Sequence, residues 1–82
     1  MAHDESSESS HEGWEDRAKN LLKAELRRRG VTYKVLADRL REIGLTETDR
    51  NISNKISRGA FSAVFLLQCL HAIGVKDIHL PD

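Results

Sequence analysis

The 82-residue chain predicts a compact all-α domain of four or five helices behind a disordered acidic arm. Three observations carry that prediction. Apolar residues recur in steps of three and four from Trp14 onward, the period of a helix face. Gly30, Gly44 and Gly59 fall where those runs end, and Thr or Ser falls where they begin. The single cysteine cannot form an internal disulfide and no Cys/His group has zinc spacing, so the fold must rest on helix packing.

The first 13 residues, "MAHDESSESSHEG", hold no apolar residue beyond Met1 and Ala2. They cannot bury enough surface to offset the entropy of ordering and read as a disordered arm, with the domain over 14–82. His3 and His11 have no rigid partner ligand, so no metal site is expected there. The first helix follows, with Trp14, Ala18, Leu21, Leu22 and Leu26 as its apolar positions, Trp14 as an anchor on the core, and Gly30 as its stop. Glu15–Lys19 and Glu25–Arg29 are supporting pairs four residues apart, and Lys19, Lys23 and Arg27 form a basic row on another face.

In "VTYKVLADRLREIG", Thr32 is the expected N-cap and Val31 its staple. Leu36, Ala37, Leu40 and Ile43 form the inward stripe, and Ala37 is small enough for another helix to cross closely. Thr46 or Thr48 caps a third helix that turns Ile52 and Ile56 inward. On a 100° wheel, Glu47, Arg50, Asn54 and Arg58 oppose that pair, flanked by Asn51, Lys55 and Ser57. The fourth helix, 62–73, is capped by Ser62 and apolar nearly all round, so it is central to the core or covered by another chain. Cys69 reads as a small buried hydrophobe. The end, "VKDIHLPD", reads as an extended tail that packs on the body or pairs with a partner's tail, and no internal repeat is apparent.

The formal net charge of zero hides an asymmetry. All 13 Lys and Arg lie after position 16, beside only seven of the 13 acids, so the body is at +6 and the leading segment carries the other six acids. A basic body points toward nucleic acid. No apolar run reaches the roughly 18 residues of a membrane span, and the acidic start is unlike a signal peptide, so a cytoplasmic setting is the expectation. Catalysis is not expected: no nucleophile–base set and no glycine-rich phosphate loop is present, and no cofactor or small-molecule ligand is predicted.

Two short helices, 33–43 and 47–58, joined by a tight glycine-containing connection and braced by others, form the arrangement of a helix-turn-helix. In that motif the second helix enters the major groove of double-stranded DNA. Arg pairs with guanine and Asn with adenine, each by two hydrogen bonds. Arg50, Asn51 and Asn54 are thus the candidate base-facing residues, and Tyr33, Lys34, Lys55 and Arg58 the candidate phosphate contacts.

At this point the chain resembles the Cro/λ-repressor type of helix-turn-helix domain. "LADRL" (Leu36–Leu40) matches the first helix of the motif, "ISRG" (Ile56–Gly59) the end of the second, and "FSAVFLLQCLHAIGV" the helix that follows. Residues 17–75 resemble more closely a short bacterial family of unknown function, with a pattern like "LLKAELRRRGVTY…LADRL…N-I-x-N-K-I-S-R-G-x-F-S". The chain departs from the repressor pattern at Arg41, where a glycine is usual, in the spacing of Ile52 and Ile56, and at the start of the motif's first helix, where the usual glutamine is missing and Tyr33 or Lys34 would have to hold the phosphate. The resemblance implies the fold; the expected function is that of a small DNA-binding transcriptional regulator, a homodimer with one side of the fourth helix as its interface. Folding of the acidic arm over the basic face would compete with DNA. The rival expectation is a repressor-like fold that binds a protein partner through helix 62–73. RNA binding ranks last, because Trp14, Phe61 and Phe65 are expected in the core and only Tyr33 is left for stacking.

Overall fold

A computed structural model describes the backbone of residues 2–80 and the side chains of 13–80. The acidic arm expected over 1–13 lies, but for Gly13, outside the described side chains. Four helices follow in order: α1 (Ala2–Arg28), α2 (Tyr33–Glu42), α3 (Asp49–Arg58) and α4 (Ala63–Ala72).

Each of the three later helices starts on a hydroxyl cap. Thr32, Thr48 and Ser62 hold extended backbone and accept the amide N–H three residues on, from Val35, Asn51 and Phe65, at 3.2, 3.1 and 3.0 Å. Each cap satisfies a donor the helix itself cannot, and contributes about 1 kcal/mol. Thr48 rather than Thr46 caps α3, so Glu47 stands outside the helix.

Three of the helix ends repeat one device. Gly30, Gly44 and Gly74 take positive φ, and the next residue's N–H reaches back to a leucine carbonyl: Val31 to Leu26, Leu45 to Leu40 and Val75 to Leu70, each at 2.9 Å. The hexapeptides "LRRRGV", "LREIGL" and "LHAIGV" share this Schellman closure, which satisfies orphan carbonyls and folds the apolar residue after the glycine back toward the core. The same six-residue stop thus recurs three times among the described residues.

Helices α1 and α2 each pack on both α3 and α4. Between them lie Leu22 and Leu26 of α1, Leu36, Ala37 and Leu40 of α2, Ile52 and Ile56 of α3, and Phe65, Cys69, Leu70 and Ile73 at α4. The inward stripes of α2 and α3 are those the helical period gave, except that Ile43 is the C-cap of α2 and lies exposed. Trp14 does not anchor the core: it is 59% exposed and stacks beneath the Arg17 guanidinium, 4.3 Å from its ring centroid. Helix α4 is only partly enclosed, with Val64 at 63% and Leu67 at 65% exposure.

At the end of α1, the buried Glu25 carboxylate meets Arg28 at 3.6 Å and Arg29 at 3.8 Å. Arg29 also donates to the Ile73 carbonyl at 3.5 Å, tying the end of α1 to the end of α4. Val75 packs on the core, whereas Ile78 and Leu80 remain exposed beside α1. No helix among the described residues is long and apolar enough to cross a membrane.

Candidate nucleic-acid interface

Helix α3 is built to show one face. Ile52 and Ile56 are fully buried and pin it down. Arg50, Asn51, Asn54 and Arg58 are all exposed, and Arg50, Asn54 and Arg58 follow at four-residue steps that keep them in one row. Asn51 sits at the third helical position, where its amide N–H, but not its side chain, is occupied by the Thr48 cap. Neither Arg50 nor Arg58 has an ion-pair partner among the described residues.

Lys55 is engaged in a different way. Its ammonium donates to Glu47 at 2.6 Å and lies 4.9 Å from the Phe65 ring centroid. Glu47, read from the sequence as part of the outward row, has a side chain only 12% exposed. Outside the helix, it folds in toward Lys55 rather than outward with Arg50. The pair links the approach to α3 with α4, and its sequence separation of eight hides it from any search at three or four residues.

Beside it lies Cys69, fully buried. Burial pushes its thiol up to about 12, the Glu47 carboxylate adds to that by repulsion, and Lys55 opposes it. Such a thiol stays protonated and inert at neutral pH. Among the described residues no group of His, Cys, Asp and Glu is placed to hold a metal ion.

The two remaining candidates sit at the start of α2. Tyr33 is half-buried against the core and Lys34 is exposed. Tyr33 and Thr32 also line a shallow cleft of about 330 Å³ shared with Lys23, Leu26, Arg27 and Val31. On the other flank, a larger groove of about 780 Å³ runs between α1 and the tail, with Trp14, Leu21, Leu66 and Leu80 among its walls.

The sequence-derived residues thus divide between two places, the exposed row of α3 and the first turn of α2, on two helices that pack against each other. Lys23 and Arg27 were visible in the sequence only as a basic row; their place beside Tyr33 depends on how α1 meets α2.

Neither a characterised protein nor a solved structure matches the chain. A family model described as a domain of unknown function matches residues 14–78, from the exposed Trp14 to the tail beside α1. That span takes in α1 from Trp14 onward, all three later helices and every candidate residue, so the chain belongs to this family of domains of unknown function, DUF6471.

Proposed function

We propose that this is a small DNA-binding protein, a transcriptional regulator of the helix-turn-helix kind that sets α3 in the major groove. The observation that carries the reading is the exposed row Arg50, Asn54 and Arg58, held outward by the buried pair Ile52 and Ile56. Arg50, Asn51 and Asn54 face base edges; Tyr33, Lys34 and Arg58 hold phosphates. Lys55, expected as a phosphate contact, has its ammonium on Glu47, and its role in this reading is to set the pose of α3 on α4.

The test is fluorescence anisotropy of a mixed-sequence duplex titrated with the protein at several salt concentrations, with a single-stranded RNA of equal length alongside because Trp14 is exposed. DNA binding gives log K falling linearly with log salt. Lys34→Ala and Arg58→Ala each reduce the slope by about one, whereas Arg50→Ala and Asn54→Ala chiefly lower sequence preference. Absence of duplex binding at low salt overturns the reading.

Helix α4 supports a second reading. Val64 and Leu67 lie one turn apart and largely in solvent, a surface suited to a second copy in a homodimer or to a different protein partner. Sedimentation equilibrium separates these. A dimer dissociated by Leu67→Asp supports the homodimeric regulator, and a monomer that ignores DNA favours a protein-interaction module working through α4.

A further inference from the structure

Two cations line the cleft where α1 ends and α2 begins, a third follows next in sequence to its lining, and no acid is among the lining residues. Lys23 and Arg27 lie four residues apart on α1 and line the cleft beside Thr32 and Tyr33. Lys34 follows in the first turn of α2, exposed, and no acidic residue stands in that turn. Like charges four apart on a helix repel, and the start of a helix carries the positive end of its dipole. The end of α1 favours Arg27, which stands in its last turn, but neither the Lys23–Arg27 repulsion nor the place of Lys34 at the start of α2 is offset by an acid among the described residues.

The neighbouring charges have ion-pair partners among the described residues and these do not. In the run Arg27-Arg28-Arg29, the second and third arginines pair with Glu25, and Arg29 also holds the Ile73 carbonyl. Lys19, one turn earlier, has Asp16 at 3.5 Å. Lys23, Arg27 and Lys34 have no ion-pair partner among the described residues. The cleft between them also offers two hydroxyls, those of Thr32 and Tyr33, of which the first already accepts the Val35 amide.

We infer that this cleft is a phosphate site, in which Lys23 and Arg27 of α1 grip a backbone phosphate of the same DNA that α3 reads. The inference rests on the DNA reading and extends the contact from α3 across to α1. An anion seated there relieves the repulsion between Lys23 and Arg27 and faces the positive end of α2. A phosphodiester fits the chemistry: Arg27 presents paired N–H donors, Lys23 a point charge, and Tyr33 an O–H donor. Because the contact is to backbone, it positions the protein without selecting sequence.

The experiment is the salt dependence of duplex binding for the full chain and for Lys23→Ala, Arg27→Ala and Arg28→Ala. Arg28 is the control, a cation of equal charge next in sequence whose partner is Glu25. The expected result is a slope lower by about one for Lys23→Ala and for Arg27→Ala, on specific and mixed-sequence duplexes alike, with the Arg28→Ala slope unchanged. Arg27→Lys restores most of the slope. Thermal melts of each variant identify any loss of fold, and Lys23→Gln replaces Lys23→Ala if the half-buried stem proves necessary for packing. Binding with an unchanged slope in both variants overturns the cleft while leaving the DNA reading intact. An equal fall in Arg28→Ala also overturns it, since only net charge is then being read. If no variant and no parent binds duplex, the DNA reading and this inference fall together. An inorganic phosphate titration followed by the amide shifts of Lys23, Arg27 and Tyr33 distinguishes a free-phosphate site, which would replace the DNA assignment.

Discussion

At the scale of single residues, Gly59 and Gly30 appear identical in sequence and differ in space. Both close helices with positive φ. A β-carbon at Gly30 would meet nothing within 4 Å, but at Gly59 it would collide with the carbonyl of Glu15, lying 2.8 Å from the carbonyl carbon. Gly30→Ala therefore pays only the left-handed conformation, about 1 kcal/mol, or roughly 5 °C in Tm for a domain this small. Gly59→Ala adds a backbone collision between α1 and α3, costing a further 1–3 kcal/mol or so, as overpacking does. Thermal melts of the two variants check the ordering, and equal losses would mean that α1 does not seat on Gly59. Cys69 gives a second prediction. Its thiol is held protonated to about 12 in the folded chain. An unfolded cysteine titrates near 8.5. The sign follows: stability is unaffected below that value and declines as pH rises toward 12, because only the unfolded chain releases the proton, with a slope of up to about 1.4 kcal/mol per pH unit. Denaturant melts at pH 8, 9.5 and 10.5 should show Cys69→Val losing less stability with pH than the parent. A thiol reagent at pH 8 should label the native chain only after unfolding.

At the scale of elements, the helices were legible because their ends are written in local chemistry. Thr32, Thr48 and Ser62 begin the later three, and the Leu-x-x-x-Gly-apolar stops end α1, α2 and α4, so boundaries follow from neighbours within six residues. The buried pairs on α2 and α3 were legible for the same reason, since a single amphipathic face has one way to turn. What failed lacked a local signal. In α4, apolar nearly all round, no period shows which side is covered, and Val64 and Leu67 proved exposed. Trp14 is large and apolar enough to suggest an anchor, yet no helix closes over it. Glu47 and Lys55 meet across a helix start, and that contact is set by where Phe65 of α4 lies. This last case yields a prediction at its own scale. Lys55→Ala strips a mostly buried carboxylate of its partner and should cost about 1–3 kcal/mol. A Glu47→Gln, Lys55→Met cycle should return a coupling energy of about 1 kcal/mol. In DNA titrations, Lys55→Ala should change the salt slope less than Arg58→Ala, and the reverse order would return Lys55 to the phosphate contacts.

At the scale of the whole molecule, the fold and the charge are divided at different points along α1. The core contribution of α1 begins at Leu22, and its seat on α3 involves Glu15 against Gly59. The acids Asp4, Glu5, Glu8 and Glu12 all lie before either. Deleting residues 1–13 therefore removes no described packing while raising the formal net charge from zero to +4. The expected result is a cooperative melt within about 1 kcal/mol of the parent, together with tighter duplex binding. The gain comes from removing negative charge that repels DNA at a distance and competes for the basic face, so it depends on screening. At 50 mM salt the shortened chain should bind several-fold more tightly, and by about 0.5 M, where the Debye length is roughly 4 Å, the two chains should converge. The steeper salt slope of the shortened chain would then mark the segment as an electrostatic brake. Equal affinity at low salt would show that the acids are too far from the interface to act on it. A loss of the cooperative melt would instead show that α1 needs its leading turns to hold Leu22 and Leu26 in place.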